Sequence, residues 1–185
     1  MIAVVVACVV RWTTGHPLTV RSTAMSPTVL SGETVWVSRR EPVSGDVVQV
    51  NLGAAYGLYR IVGVGGQAIE IKGKKTYVDG VLLEGSVAQT TLASDDHCRS
   101  VSVPTVQATL GDRVFQVVPG GDDMAIVVPE NGLFLLGDHR QASGDSRTWG
   151  PISVDAVEGV ATRVLWSSDE CISSVRWRRI WKSIE

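Results

Sequence analysis

Polar side chains that could do chemistry are concentrated in one loop of this 185-residue chain, at 137–150. The loop follows an apolar run, and its acidic and basic residues alternate. These side chains are Asp138, His139, Arg140, Ser143, Asp145 and Arg147. Alternating carboxylates and guanidiniums form ion pairs that fix the shape of a loop. The alternative interpretation is a solvated surface turn.

A second set of hydroxyl groups lies upstream, in the segment Arg21-Ser22-Thr23-Ala24-Met25-Ser26-Pro27-Thr28. A serine hydroxyl becomes a nucleophile when a neighbouring base removes its proton. We expect this segment to be the end of a strand, because Pro27 favours an extended residue before it. Taken alone, the segment is a weak signal.

Short strands separated by turns must position these two segments. Apolar runs bounded by Gly, Asp and Asn predict the strands, and the 19 glycines and abundant valine favour strands over helices. The predicted strands are Glu33–Ser38, Val47–Asn51, Leu58–Val64, Ala68–Lys72, Thr76–Val78, Ser100–Val103, Val114–Val118, Ala125–Val128, Leu133–Leu136 and Val157–Trp166. Without a sustained helical period or an internal repeat, the fold is predicted to be mainly β.

Four blocks, in order and spacing, resemble the type I signal peptidases. They are AMSPTVL followed by Gly32-Glu33, SGDVVQV at 44–50, YRIVGVGG at 59–66 with YVDG at 77–80, and GDHRQASGDSRTWG at 137–150. The last block is the most specific, although His139 stands where the family usually has asparagine. The resemblance implies an antiparallel β-sheet domain with few short helices.

The resemblance also divides the chain. The family-like core is expected at 21–82 and 129–168. Residues 83–128 match no family block and are expected to form an inserted β subdomain. Residues 1–20 form an apolar N-terminal segment, and 169–185 a basic-aromatic tail.

Signal peptidases use a serine nucleophile and a neutral lysine base, and the resemblance assigns their supporting residues in this chain. The auxiliary oxyanion hydroxyl maps to Ser22, and the serine that orients the base maps to Ser143. The cleft positions map to Met25 and Pro27. The Asp/Arg frame of the family maps to Asp138, Arg140, Asp145 and Arg147.

The nucleophile and base positions of the family are both altered in this sequence. The nucleophile position is Ala24, whose methyl group cannot attack, and the base position is Tyr59, whose phenol is protonated at neutral pH. The chain holds only four lysines: Lys72, Lys74, Lys75 and Lys182. Three lie at a glycine hairpin and one in the tail, so none is expected beside Ala24.

Three functions follow from this pattern. The leading one is a catalytically inactive member that binds a signal peptide, or another extended segment of an exported chain, by adding it as a strand beside Ala24. The second is an active peptidase with relocated groups, such as Ser22 or Ser26 with His139 as base. We disfavour it because residues 22 and 24 of a strand lie about 6.6 Å apart. The third is a structural partner in a secretion or assembly complex.

The two ends of the chain bear on location. The apolar run Ile2–Val10 is about half of a spanning helix and is read either as the end of a membrane anchor or as a buried strand. The tail Val175–Lys182 interleaves tryptophan with cations, which suits a membrane interface or a packed terminal helix. The resemblance places the domain on the exported face of a bacterial cytoplasmic membrane.

Composition excludes some other functions. A formal net charge of −2 gives no basic face for a nucleic acid. The three cysteines, Cys8, Cys98 and Cys171, cannot all be paired within one chain, and Cys98 and Cys171 are read as buried thiols or a disulfide. Asp95-Asp96-His97-Cys98 lacks a second ligand group at metal spacing, so neither a metal nor another cofactor is expected.

Overall fold

The structure is a computed structural model, and it describes residues 14–51, 53, 56–94, 100–169 and 172–184. The apolar run Ile2–Val10, the three cysteines and the Asp95–Cys98 cluster lie outside these residues. The mainly β prediction is confirmed. None of the helices in the described part of the chain has the length and apolar character needed to cross a bilayer.

The described residues form 15 strands. In chain order they are β1 Gly15–Thr19, β2 Glu33–Ser38, β3 Val47–Asn51, β4 Tyr56–Val64, β5 Ala68–Lys72, β6 Lys75–Val78, β7 Val81–Leu82, β8 Glu84–Ser94, β9 Ser100–Leu110, β10 Arg113–Val117, β11 Met124–Val127, β12 Gly132–Leu136, β13 Ile152–Ser153, β14 Val157–Asp169 and β15 Ser174–Val175.

The largest sheet carries both polar segments. Its strand order is β1-β2-β14-β3-β4-β12-β13, neighbouring strands run antiparallel, and β15 pairs with β14. Strand β4 pairs with β3 along 56–60 and with β12 along 60–64. Consequently, within the described residues, the first half of β4 has a ladder on one side only.

This sheet curls strongly. Strands β1 and β3 are three places apart in the order, which is about 14 Å in a flat sheet. Nevertheless His16 of β1 reaches Gln49 of β3, with Nε2 and Oε1 2.9 Å apart. The concave face therefore encloses an apolar cluster that includes Val20, Met25 and Leu58.

Two smaller sheets complete the described fold. One has the order β10-β9-β8, and the other β11-β5-β6-β7. The first is tied to the main sheet by an ion pair between Arg113 of β10 and the buried Asp46, at 2.7 Å. A second apolar cluster, containing Phe115 and Phe134, fills the space between the sheets.

The helices are few and short, as expected. Helix α1 spans Ser146–Trp149, and single 3₁₀ turns occur at Val154–Ala156 and Trp177–Arg179. Asp145 caps α1, because its carboxylate accepts a hydrogen bond from the Arg147 amide.

The C-terminal segment folds back along the main sheet. Arg179 binds the buried Glu33 and donates to the Thr28 carbonyl at 2.9 Å. Ile184 is 6% exposed and joins the cluster that contains Met25. Trp177 and Trp181 on the same segment are exposed and are not buried against the domain. The membrane-interface expectation for this tail stays a prediction.

Candidate functional site

The segment after Ser22 is a series of turns. Ser26 donates its amide to the Thr23 carbonyl, and Val29 donates to Met25. Residues 23–29 therefore do not continue β1, and the expected strand end is wrong. The strand spacing of about 6.6 Å between residues 22 and 24 does not apply, because a turn brings neighbouring side chains closer than an extended chain does.

Ala24 sits where this turn meets the polar loop. It is 8% exposed, and its carbonyl accepts a hydrogen bond from the His139 amide at 2.9 Å. A Cβ added to Gly137 would lie 2.6 Å from that carbonyl and 2.3 Å from Ser143 Oγ. Only glycine at 137 lets Ala24 and Ser143 approach this closely.

Ser22 lies on the other side of Ala24 and is exposed to solvent. The Ala24 amide donates to Ser22 Oγ at 3.1 Å. The family resemblance assigns the Ser22 hydroxyl and the backbone amide of position 24 to an oxyanion hole. In this protein the two groups are adjacent, and the amide donates its hydrogen bond to the hydroxyl.

Four side-chain atoms of the polar loop are buried without a hydrogen-bond partner among the described residues: Ser143 Oγ, His139 Nδ1, and Nε and Nη2 of Arg140. Burial lowers the pKa of His139, and a hydrogen bond to the Thr23 backbone opposes that shift. His139 is therefore neutral at physiological pH. A buried hydroxyl without a hydrogen-bond partner lowers stability, so packing alone does not explain the presence of serine at position 143.

Tyr59 lies on β4 and is buried. Its ring meets Trp149 edge-to-face, with centroids 5.8 Å apart, in an apolar cluster with Ile61 and Leu135. Burial and the nearby Asp145 carboxylate raise the pKa of Tyr59. The phenol therefore stays protonated and cannot serve as a base at neutral pH.

Asp138 and Arg60 form a fully buried pair beneath the site. Arg60 Nη2 lies 2.8 Å from Asp138 Oδ2, and both side chains are at most 1% exposed. Thr28, from the turn, donates to the same carboxylate. The pair thus connects strand β4, the turn after Ala24 and the polar loop.

The frame residues do not all pair as expected. Asp145 and Arg147 pair at 2.7 Å, but Asp138 pairs with Arg60, and Arg140 pairs with Glu84 at 3.2 Å. The predicted pairing within the loop was therefore half right. Asp138 and Arg140 therefore connect the loop to residues outside it, to Arg60 on β4 and to Glu84 on β8.

Arg60, Glu84 and Thr28 are the frame residues that sequence reasoning missed. Arg60 had a detectable signal, because a cation in the apolar run Tyr59–Val64 needs a buried anion. Glu84 gave none, since it lies in a stretch without a recognised block. Burial lowers the pKa of Arg140, while Glu84 and Asp138 oppose that shift.

Asp145 and Arg147 fix the shape of the loop. The Asp145 carboxylate accepts from the Gly137 amide at 3.0 Å, and Arg147 Nη2 donates to the carbonyls of Arg140 and Ser143. Ser143 is therefore held by its own backbone in the position beside Gly137.

A groove of about 450 Å³ runs up to this site. Leu18, Thr19, Val20, Arg21 and Ser22 form one wall, and Gly57 and Leu58 form the other. The second wall belongs to the half of β4 that lacks a second ladder in the described chain. Of the two expected cleft residues, Met25 is 1% exposed and packs in the cluster that also holds Val20 and Leu58.

Pro27, the other expected cleft residue, lines a separate cavity of about 230 Å³ with Thr28, Phe115 and Lys182. Loss of hydration and the neighbouring Arg179 lower the pKa of Lys182. Lys182 is an exposed residue that lines this cavity with Pro27 and Thr28, and the expectation that no lysine is buried beside Ala24 stays a prediction.

No cluster of three or more His, Cys, Asp or Glu side chains suited to a metal ion occurs in the described residues. The Asp95–Cys98 segment is not part of them.

Comparison with known proteins gives a consistent result. Residues 1–166 match the family model described as signal peptidase, peptidase S26. The chain is 26% identical over 182 residues to signal peptidase IB of Staphylococcus aureus, covering 92% of this chain and 90% of that protein. It is 28% identical over 179 residues to signal peptidase I of Bacillus licheniformis, covering 92% and 87%.

A crystal structure of a signal peptidase I from Enterococcus faecalis V583 is also similar. It is 25% identical, covers 66% of this chain and 98% of that one, and has a TM-score of 0.41.

Proposed function

Because this chain belongs to the signal peptidase family, peptidase S26, we propose that it binds signal peptides or similar extended segments of exported proteins without cleaving them. The observation that carries the proposal is the composition of the site. Ser22 and Ser143, to which the family resemblance assigns supporting roles, lie close to Ala24, and the positions that it assigns to nucleophile and base hold Ala24 and Tyr59.

The absence of chemistry follows from the side chains. Ala24 has no group that can attack a carbonyl, and the buried Tyr59 phenol does not take up protons at neutral pH. His139 is neutral, but its ring hydrogen-bonds to the Thr23 backbone. None of these three positions offers an activated nucleophile.

Peptide binding is supported by the groove. Its walls include Leu18, Val20 and Leu58, which offer apolar contact. The first half of β4, which among the described residues has a ladder on one side only, would offer backbone hydrogen bonds to an added strand. Ser22 lines one end of the groove next to Ala24, and the family resemblance implies a preference for small peptide side chains at that end. A segment with small residues at that end fits best.

The first prediction tests this groove with the Ala24→Trp variant. A signal peptide ending in small residues should bind the unaltered protein with a Kd in the micromolar range, roughly −8 kcal/mol. The variant should bind at least about tenfold more weakly, because the indole fills the space beside Gly137. Isothermal calorimetry measures both affinities.

Ala125→Trp is the matched control, because Ala125 is exposed on β11, in a different sheet. It should bind peptide as the unaltered protein does. Absence of saturable binding at millimolar peptide, or equal binding by Ala24→Trp, would leave the structural-partner function as the better account.

The rival function, cleavage by relocated groups, has one observation in its favour. Lys182 has a lowered pKa and lies in the cavity lined by Pro27 and Thr28. Against it, the Thr28 hydroxyl is already bound to Asp138. Turnover that disappears in Ser22→Ala, Ser26→Ala or Lys182→Ala would support this rival.

We also propose that the domain works at a membrane surface, on the exported side of a bacterial cytoplasmic membrane. Four large apolar side chains are exposed near the C-terminal end: Trp166, Ile172, Trp177 and Trp181, at 44%, 73%, 72% and 64%. Trp166 and Trp177 meet edge-to-face at 6.1 Å. The exposed Arg163 and Arg178 add positive charge there.

The second prediction concerns this aromatic surface. The Trp177→Ser, Trp181→Ser variant should bind vesicles of anionic phosphatidylglycerol about fivefold less than the unaltered protein, because interfacial tryptophans anchor at headgroup level. Co-sedimentation measures the bound fraction. Val127→Ser, which removes a 65% exposed apolar side chain elsewhere, is the control and should change nothing. Equal binding by all three proteins would contradict the membrane proposal.

A further inference from the structure

Three polar side chains form a hydrogen-bonded chain across the main sheet. His16 of β1 contacts Gln49 of β3, with 2.9 Å between Nε2 and Oε1. Gln49 is 3% exposed, and its Nε2 donates to the carboxylate of Glu158 on β14. Burying the side-chain amide of Gln49 is costly unless both its oxygen and its nitrogen form hydrogen bonds. Both do, the oxygen with His16 and the nitrogen with Glu158.

The direction of this chain is fixed by chemistry. An ionised carboxylate only accepts hydrogen bonds, so Glu158 must face the amino group of Gln49. The Gln49 carbonyl then faces His16, and it also only accepts. His16 Nε2 must therefore carry the proton, which leaves Nδ1 of the neutral ring as a hydrogen-bond acceptor.

The hydrogen-bonded side chains His16, Gln49 and Glu158 adjoin the groove at its Leu18 end, which is remote from Ala24. His16 and Leu18 share one face of β1, because they are two residues apart in a strand. Gln49 is directly opposite Leu58 in the ladder between β3 and β4. Leu18 and Leu58 line opposite walls of the groove, so the polar pair adjoins both walls.

We propose that His16 is a specificity-determining residue of the groove, accepting at Nδ1 a hydrogen bond from a peptide side chain. This inference rests on the proposed peptide-binding function. Leu18, Val20 and Leu58 give the groove apolar contacts, and its polar lining residues, Thr19, Arg21 and Ser22, lie further from His16 along the chain than Leu18 does. His16 is therefore a directional polar group at the end remote from Ala24. The Gln49–Glu158 pair holds the acceptor in place.

The position of the recognised residue follows from spacing. His16 precedes Ser22 by six residues, which is roughly 20 Å of extended chain. A peptide strand of similar rise therefore places a residue beside His16 about five to seven positions from the small residue at Ala24. A side chain that donates is preferred there over one that only accepts.

The experiment is a double-mutant cycle on peptide affinity at pH 8, where imidazole is ordinarily neutral. One signal peptide is made with glutamine, and one with isosteric glutamate, at each of the positions five, six and seven residues before its terminal small residue. For the unaltered protein, the glutamine peptide should bind about fivefold more tightly at one of these positions.

Variants then assign the preference to His16. His16→Leu should bring the glutamine-to-glutamate ratio to within about twofold of unity, while overall peptide binding persists. His16→Gln keeps a donor for Gln49 and supplies a carbonyl acceptor, so it should retain the preference. Pro17→Ala, on the outward face of β1, should leave the ratio unchanged.

The outcomes separate the two proposals. Peptide binding with a ratio that His16→Leu does not change would overturn the role of His16 and leave the binding function intact. Absence of any peptide binding would overturn both. A purely structural role for His16 would change all peptide affinities together, without changing the ratio between the glutamine and glutamate peptides.

Discussion

Restoring the family's nucleophile and base, with Ala24→Ser and Tyr59→Lys together, is expected to convert this protein into one that cleaves preproteins. The unaltered protein should give no turnover above a no-protein control. The cleavage rate of the double variant should exceed that of the no-protein control by at least about a thousandfold, because loss of a serine nucleophile alone can cost about a millionfold in rate.

The reason lies in what the site has kept. Ser143 Oγ is buried without a partner among the described residues, and Ser22 Oγ is bonded to the backbone amide of position 24. A serine at 24 would stand between these hydroxyls. Burial that raises the pKa of the Tyr59 phenol would lower that of an introduced amine, since it penalises the charged form in both cases.

The introduced lysine also sets the pH dependence. Its neutral form is the base, so cleavage should increase as pH rises and the ammonium loses its proton. The Asp145 carboxylate, which contributes to the raised pKa of Tyr59, opposes this by favouring the ammonium. Cleavage of a labelled preprotein between pH 6 and 10, followed by gel electrophoresis, measures the profile.

Each single variant is the control for the double variant. Ala24→Ser alone lacks a base, and Tyr59→Lys alone lacks a nucleophile, so both should remain at background. A folded double variant without turnover would show that Ser22 and Ser143 are not arranged for catalysis. Turnover by the unaltered protein would show that it has a different set of catalytic groups.

The second large effect concerns stability. Asp138→Ala should lower the free energy of unfolding by about 3–5 kcal/mol, because it leaves a buried guanidinium without its carboxylate. Arg60 is 0% exposed, and its Nε and Nη2 atoms both donate to Asp138. Urea denaturation followed by circular dichroism measures the loss, provided that the slope of the transition is unchanged.

An exposed ion pair provides the matched control. Lys72 and Glu70 lie 2.5 Å apart, but their side chains are 65% and 40% exposed. Glu70→Ala should cost less than about 1 kcal/mol, because solvent screens the pair. The double variant Arg60→Met, Asp138→Leu should be more stable than Asp138→Ala, since no buried charge is left alone. A loss below about 1 kcal/mol for Asp138→Ala would contradict a structural role for the pair.

Much of the fold could be predicted from local patterns. Glu33–Ser38, Val47–Asn51 and Ala68–Lys72 were predicted with the bounds that the structure has. Alternation or a short apolar run, bounded by glycine or a charged residue, determines such strands within a few residues of chain. Ser100–Val103, by contrast, is only the start of a strand that ends at Leu110. Pairing with β8 extends this strand through residues that show no clear alternation of polar and apolar types.

The site was predictable in its residue types and less so in its contacts. The loop containing Asp138 and Asp145 was identified from its alternating charges. The turn at 23–29 was mistaken for a strand end, because its hydrogen bonds depend on how the segment meets Gly137 and His139. No pattern within the segment itself encodes that contact.

The sequence by itself determined the family, the mainly β architecture and the residue types Ala24 and Tyr59 at the positions that the family resemblance assigns to the nucleophile and the base. Those conclusions depend on residue identity and on spacing along the chain. Only the tertiary structure decided which charges pair, as in Arg60 with Asp138 and Arg140 with Glu84, and that His16 meets Gln49 and Glu158. The physical reason is that a buried polar group takes whichever partner the packing of distant strands brings within reach, and separation along the chain does not encode that distance.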